Sequence, residues 1–372
     1  MDALKRPRWL PITEPMPPSV PLRVGIAGLG FWGTKLARNI AESPATMLVA
    51  ICDPQCERLQ AAGERHAGAA AFAELSGMLA MDGLDAVVLA TPEALHFSQA
   101  KAALDAGKHL LVEKPLTLSV AECAALEHGA QMRSLTLMVG HTFLYSAPVR
   151  LLRELIAAGE LGEVLYCYAQ RLNLGAIRND VSAMWDLAPH DVSILHYVLG
   201  REPAMVSAQQ YSLIGEAVED IAMVNMVFPG GAVGHIHVSR LDPRKVRQLV
   251  VVGELKMAVY DDLDAEMPLK VYDKGVISAE RGTQALLSDT GFARHHFELR
   301  SGDVVAPKVA GGEPLRVEIE HFAACVATGE RPLTDARSGR AVVAVLEAAQ
   351  ISSEMGGQPT VVASEPGLAA AA

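Results

Sequence analysis

The chain has 372 residues, and half of them are apolar, which is enough for two buried cores. Its formal net charge of −11 argues against nucleic acid or an anionic membrane as a partner, because both attract concentrated Lys and Arg. The five cysteines are scattered and include no C-x-x-C pair, and no apolar run is long enough to span a bilayer. We therefore expect a cytoplasmic protein.

The first 21 residues are rich in proline and lack the apolar core of a signal peptide, so they predict an N-terminal extension. From Leu22 to His141, short apolar runs alternate with helical patterns such as 33–42 and 93–106. This pattern predicts a Rossmann domain over 22–141, a doubly wound α/β fold with a parallel sheet. Its strand candidates are 22–27, 48–52, 86–90, 109–112 and 135–139.

Beyond His141 the pattern changes to longer β runs, which predicts a second domain over 142–355. We expect an open, mostly antiparallel sheet covered by helices, followed by a flexible tail over 356–372. Because an open sheet with an apolar face needs cover, the sequence also predicts a homo-oligomer, a dimer or tetramer. The elements predicted here are helices over 148–158, 185–199, 316–328 and 335–354, strands over 163–171, 246–253, 256–261 and 269–272, and a hairpin of 218–228 with 232–240; residues 275–312 show no clear period.

A G-x-G-x-x-G motif follows the first strand and opens the first helix, with its glycines at Gly28, Gly30 and Gly33. The first glycine permits a tight turn, the second lets a pyrophosphate approach the backbone, and the third lets helix and strand pack. Since the helix N-terminus adds amide donors, this loop predicts a nicotinamide dinucleotide site that includes Phe31 and Trp32.

Asp53 ends the second strand, where a carboxylate can accept hydrogen bonds from both ribose hydroxyls of NAD. An ordinary cap or loop aspartate is the alternative interpretation. Arg58 lies nearby and could hold a 2′-phosphate, so the sequence favours NAD and leaves NADP possible.

Several further segments give the chain a family resemblance: Thr91-Pro92 through His96, the run from Ala106 to Pro115, Gly140-His141, Trp185 to His190, and Glu320 to Asp335. In this order they resemble the Gfo/Idh/MocA oxidoreductases, named for glucose–fructose oxidoreductase and inositol dehydrogenase. The resemblance implies a nicotinamide cofactor in the first domain and a sugar, sugar nucleotide or cyclitol substrate on the second. It adds these residues to the expected cofactor contacts: Thr91, Pro92, His96, Glu113 and Lys114.

The resemblance also implies a catalytic trio of Lys114, Asp186 and His190, with Pro115 matching a proline that often forms a cis bond. On a helix, the i, i+4 spacing of Asp186 and His190 places both on one face. We expect His190 as acid/base, because histidine titrates near neutral pH. Lys114 would orient the hydroxyl and stabilise charge on its oxygen, and Asp186 would bind or orient the substrate.

Polar residues before this helix suit a polyhydroxylated substrate, and the guanidinium groups could hold a carboxylate or diphosphate. A polar, solvated loop is the alternative. The chain also has Ser182 to Trp185 where the family often has a Gly-Gly pair, which changes the expected pocket shape. The predicted substrate residues are Arg171, Asn173, Arg178 and Trp185.

The sequence therefore predicts an NAD(P)-dependent oxidoreductase of a sugar or sugar-nucleotide hydroxyl. An inositol-type cyclitol dehydrogenase is the nearest alternative, and a non-catalytic NAD(P)-sensing protein is the alternative from another class. No metal is expected, because the paired histidines His295-His296 and His235-x-His237 lack partner acids or cysteines, and 261–264 lacks the glycine and terminal glutamate of a calcium loop.

Overall fold

A computed structural model describes residues 20–175, 180–214, 218–278 and 297–363. Its strands form two sheets, one from the first third of the chain and one from the rest. Within this described part, no helix is both long enough and apolar enough to cross a membrane.

The first sheet has six parallel strands in the order β3-β2-β1-β4-β5-β6, the arrangement of a doubly wound Rossmann fold. Its central strands are apolar and buried along nearly their whole length, because helices cover both faces. The predicted parallel sheet is confirmed. Its elements are β1 Leu22–Ala27, α1 Phe31–Glu42, β2 Thr46–Cys52, α2 Cys56–Arg65, β3 Ala70–Phe72, α3 Leu75–Leu79, β4 Ala86–Leu89, α4 His96–Asp105, β5 His109–Glu113, α5 Val120–Met132 and β6 Leu137–Gly140.

The second sheet has nine strands in the order β14-β13-β12-β11-β7-β10-β9-β8-β15, and β7 and β10 form its one parallel pair among the described strands. This confirms the prediction of a mostly antiparallel sheet. Its elements and helices are α6 Ala147–Ala157, β7 Val164–Leu174, α7 Ala183–Leu199, β8 Met205–Tyr211, β9 Ile221–Val227, β10 Val233–Ser239, β11 Leu241–Gly253, β12 Met257–Asp261, β13 Leu269–Ser278, β14 Phe297–Val305, α8 Pro314–Thr328, α9 Ala336–Glu354 and β15 Thr360–Val361.

The predicted hairpin is formed by β9 and β10, which pair antiparallel from Val227 opposite Val233. Gly230 and Gly231 both have positive φ, 89° and 93°, in the turn between them. Residues with a Cβ rarely adopt that conformation, so the two glycines explain why the chain reverses here.

The helices α8 and α9 connect the two halves of the molecule. Phe322 of α8 packs in the core beneath β1, and Val343 and Val345 of α9 belong to the cores under the first and second sheets respectively. Within the predicted tail over 356–372, Thr360 and Val361 pair with the edge strand β8, and residues 364–372 lie outside the described residues. The predicted domain boundary after residue 141 stays a prediction.

Candidate active site

A cleft of about 680 Å³ lies at the carboxyl ends of β4 and β5, between the two sheets. Parallel α/β sheets bind ligands at this edge. Most of the predicted trio and loop residues meet here although they are distant in the sequence. The cleft is lined by Phe31, Trp32, Lys35, Ala90, Thr91, Glu113, Lys114, Thr142, Phe143, Ser146, Arg171, Leu172, Asn173, Asp186, Leu187, His190, Arg247, Asp262, Glu313, Pro314 and Leu315.

The glycine loop leads into α1 and borders this cleft through Phe31 and Trp32. Gly28 has φ +90°, and a Cβ on it would lie 2.4 Å from the Ala90 carbonyl oxygen. A Cβ on Gly33 would lie 1.9 Å from the carbonyl oxygen of Gly28. Only glycine fits either position. The loop therefore has the close backbone packing and the free helix N-terminus that the pyrophosphate of NAD requires.

Asp53 is buried behind this loop and organises it. Its carboxylate accepts hydrogen bonds from the Leu29 amide at 2.8 Å and from the Gln55 amide at 2.9 Å. Arg58 approaches from α2, since a Cβ on Gly30 would lie 4.0 Å from its guanidinium. A carboxylate and a guanidinium thus border the part of the loop where the adenine ribose of a dinucleotide is expected.

Thr91 lines the cleft, and Pro92 begins the short turn that precedes α4. His96 lies beneath them, with one ring nitrogen 2.9 Å from the Thr91 carbonyl oxygen and the other 2.8 Å from that of Pro115. The imidazole is 1% exposed, so it connects the two loops from below and does not line the cleft. The Lys114–Pro115 peptide bond is cis.

Glu113 and Trp32 connect the end of β5 to the start of α1. The indole Nε1 donates a 2.6 Å hydrogen bond to Glu113 Oε1, and the Lys114 amide donates to Oε2 at 3.3 Å. Burial raises the pKa of Glu113 to about 7, against the opposing influence of the Lys114 charge and of the Trp32 hydrogen bond.

Lys114 and Asp186 are in direct contact at the centre of the cleft. Lys114 Nζ donates to the Asp186 carbonyl oxygen at 2.6 Å and lies 3.3 Å from Oδ1. Arg240 Nη2 donates to Asp186 Oδ2 at 2.9 Å, and its guanidinium also bonds the carbonyl oxygen of Val181. Two cations therefore hold one carboxylate, and Lys114 keeps its ammonium group at the surface of the cleft.

His190 lies one helical turn after Asp186 on α7, whose start is capped by the Ser182 hydroxyl. The Phe143 ring meets its imidazole edge-on, with centroids 5.0 Å apart. Burial lowers the pKa of His190 well below its usual value, and the positive charges of Lys114 and Arg171 add to this effect. The imidazole is therefore neutral near pH 7 and can accept a proton.

Arg171 lines the cleft, but its guanidinium is bound on the far side. It forms a two-pronged ion pair with Asp191, with distances of 3.0 and 2.9 Å, and both side chains are buried. Its guanidinium also stacks on the Phe143 ring, 4.6 Å from the centroid. Asn173 lines the cleft two residues further along β7.

Of the other two predicted substrate residues, the structure describes only Trp185. Trp185 packs against hydrophobic residues of both cores and is not among the cleft residues. Arg178 lies outside the described residues. In the described part of the chain, no group of three or more His, Cys, Asp or Glu side chains could hold a metal ion.

Three residues at or behind the cleft were not predicted from the sequence: Arg240, Asp191 and Arg247. Arg240 closes a predicted strand and Asp191 directly follows His190, so a charged residue in each buried segment was the available signal. Arg247 lies opposite Arg171 in the register of β11 and β7, and that pairing could not be known before the sheet order.

Comparisons with known proteins agree with this geometry. Residues 22–141 match the family described as "Oxidoreductase family, NAD-binding Rossmann fold", and residues 149–259 match the "GFO/IDH/MocA C-terminal domain". The chain is 28% identical to UDP-N-acetylglucosamine 3-dehydrogenase of Acidithiobacillus ferrooxidans, over 90% of this chain and 97% of that protein. It is 27% identical to scyllo-inositol 2-dehydrogenase (NAD(+)) of Bacillus subtilis, over 84% of this chain and 88% of that protein.

A solved structure of the Acidithiobacillus ferrooxidans enzyme superposes with a TM-score of 0.73 at 26% identity, covering 90% of this chain and 99% of that one. The matches to these two family domains confirm the resemblance. The chain belongs to the Gfo/Idh/MocA family of oxidoreductases, and its first sheet is the NAD-binding Rossmann domain of that family.

Proposed function

We propose that this protein is a dehydrogenase that interconverts a secondary hydroxyl and a ketone on a sugar or sugar nucleotide. The observation that carries the proposal is the convergence of Lys114, Asp186 and His190 in one cleft beside the glycine loop. Lys114 directly follows β5, whereas Asp186 and His190 lie one helical turn apart on α7, and all three side chains line the cleft. Membership of the Gfo/Idh/MocA family indicates the class of reaction. The cleft contains the groups that can accept or return the proton of the substrate hydroxyl.

His190 acts as the base for the hydroxyl proton. Its neutral imidazole lines the cleft, and its Nδ1 is buried, which leaves Nε2 as the nitrogen nearest to a substrate. Lys114 holds the same oxygen and stabilises its developing negative charge. Asp186 fixes the ammonium group of Lys114, while Arg240 balances the charge of this carboxylate. When bound, NAD accepts or returns the hydride.

The substrate side of the cleft favours a ligand with an anionic group. Arg247 lies at this wall beside Asp262, with a 3.2 Å contact, and its side chain is 39% exposed. Its guanidinium can reorient toward a phosphate at little cost, because exposed ion pairs contribute only about 0–1 kcal/mol. Asn173 adds a hydrogen-bonding group for hydroxyls. This arrangement supports a sugar nucleotide over a free cyclitol, which remains the second candidate because of the scyllo-inositol dehydrogenase relative.

We also propose a homo-oligomer in the cytoplasm. The sheet face directed away from the helices exposes apolar and aromatic side chains, among them Tyr166, Met223, Val227 and Val233. Exposed apolar side chains grouped on one face often mark an interface with another protein molecule. The five cysteines are free, as expected in a reducing compartment. Light scattering after size-exclusion chromatography tests the assembly, and a monomer at micromolar concentration contradicts it.

The experiment that tests the function follows NADH and NADPH absorbance with UDP-sugars, free sugars and inositols as substrates. We expect turnover with a nucleotide sugar, and a higher kcat/KM with NAD than with NADP. Turnover with inositols alone selects the cyclitol reaction. Tight NADH binding without turnover on any of these substrates contradicts the proposal and favours a sensor or a cofactor that is recycled within each turnover.

A further inference from the structure

A second, smaller crevice of about 150 Å³ lies beside α7, and it shares no lining residue with the cleft. Its polar walls include His141, Ser193, His196 and Ser338. Both serine hydroxyls already donate to backbone carbonyls, at 2.7 and 2.8 Å. The volume admits several water molecules. This crevice is therefore a separate polar opening in the catalytic half of the protein.

The histidines at this crevice have hydrogen-bonding capacity that the protein does not use. Among the described residues, neither ring nitrogen of His141 has a protein partner, and the buried Nε2 of His196 has none. The Nδ1 of His190 is buried and unpartnered in the same way. Burying such a group without a partner costs about 1–3 kcal/mol. Four such nitrogens lie on three neighbouring histidines, and packing alone does not explain why the fold keeps this unfavourable free energy.

The three histidines influence one another in series. Burial lowers the pKa of His141 to about 3, and positive charge on His196 and Lys114 adds to this effect. His141 in turn disfavours the charged form of His190, together with Lys114, Arg171 and Arg247. Burial lowers the pKa of His196 to about 4. All three rings are thus neutral at rest, and each can carry a proton only briefly.

We propose that His141 and His196 form a proton exit that connects His190 to the crevice, separate from the cleft that cofactor and substrate fill. This inference rests on the proposed function. As the substrate C–H bond breaks and its hydride leaves for the nicotinamide, the O–H proton binds His190 Nε2. The Nδ1 proton of His190 then passes to His141, directly or through one water molecule. Water in the crevice, next to His196, takes it to solvent.

The test compares His141→Asn and His196→Asn with His128→Asn, whose side chain is exposed on α5. We expect kcat to fall about 10-fold to 100-fold in the first two variants, less than the loss of a direct base, which is about 10²–10⁴-fold. The pre-steady-state burst, in which the first turnover produces NADH, should remain in both variants. Added imidazoles should restore kcat in proportion to their basicity, and the solvent deuterium isotope effect on kcat should rise. His128→Asn should match the wild type.

An unchanged kcat in His141→Asn overturns the relay, and so does a loss that imidazoles do not restore and that leaves the isotope effects unaltered. A wild type inactive on every substrate rejects the proposed function instead. A high-resolution crystal structure with bound NAD then decides on the relay, since it needs no substrate. Ordered water within hydrogen-bonding distance of both His141 and His196 supports the exit, and a dry crevice refutes it.

Discussion

The two walls of the cleft are built in different ways. The cofactor wall is one continuous segment, Gly28 to Gly33, whose function depends on backbone and on the absence of side chains. The opposite wall is assembled from charged and titratable side chains on or next to β5, α7, β7 and β11. The first wall is sensitive to added volume, and the second to the loss of a single charge. Each prediction below tests one side of this difference.

Gly33→Val should produce the largest effect on NAD binding, because its side chain would overlap the Gly28 carbonyl oxygen, only 1.9 Å from the Cβ position. Overpacking of about 3 kcal/mol corresponds to roughly a hundredfold weaker NAD binding. Calorimetric titration with NADH measures it. Gly63→Ala is the matched control, since nothing lies within 4 Å of a Cβ there. Equal affinities for the two variants would show that the loop is not the dinucleotide site.

His190→Asn should reduce kcat by about 10²–10⁴-fold, the contribution of a positioned base. Lys114→Met should reduce kcat by about 10²–10³-fold, the effect of removing one donor to a developing oxyanion. NAD affinity should stay close to the wild-type value, because neither side chain supports the glycine loop. Steady-state kinetics and NADH titration separate the two effects. Lys101→Met removes a lysine of the exposed pair with Asp105 and should leave both unchanged. Wild-type rates in either site variant would refute the assigned roles.

Asp191→Asn should destabilise the fold, because it leaves the buried guanidinium of Arg171 without its counter-charge. Breaking a buried pair on one side costs about 3–5 kcal/mol. Asp85→Asn breaks the exposed pair with Arg23 and should cost about 0–1 kcal/mol. Urea unfolding measures both. If both variants lose a similar free energy of unfolding, the Arg171–Asp191 pair is hydrated. Arg171 would then be free to bind substrate, as the sequence predicted.

The same contrast explains what the sequence could predict. The turn at the glycine motif, five of the six strands of the first sheet and the β9–β10 hairpin depend on local signals, namely glycine spacing, short apolar runs and a Pro-Gly-Gly turn, and the structure has each of them. The meeting of Lys114 with Asp186 followed from the family resemblance and not from local pattern. Arg240 could not be assigned, because its role exists only once β10 and α7 are side by side.

Other elements escaped prediction for reasons of length and pattern. The strand β3 has only three residues, and β14 falls within a stretch that shows no clear hydrophobic period. The edge strand β15 has two residues and forms only because β8 offers it unpaired backbone groups. Short edge elements of this kind are stabilised by their neighbours, so their own residues carry little signal.

Glu113→Gln should change the stability of the protein only as a function of pH. Burial raises the pKa of Glu113 from its usual 4.5 to about 7, so the folded state binds this proton more tightly than the unfolded state. The resulting stability is present below 4.5 and is lost as pH rises through about 7. Glutamine does not titrate, so the variant lacks this loss.

The difference in the free energy of unfolding between wild type and Glu113→Gln, measured in urea at a series of pH values, should therefore change within that window and level off above it. The buried His141 and His196 titrate in the opposite sense, losing stability as pH falls below 6.5, but they do so in both proteins and cancel in the difference. A difference that does not vary with pH across this window would mean that Glu113 is already ionised there and carries a negative charge beside Lys114.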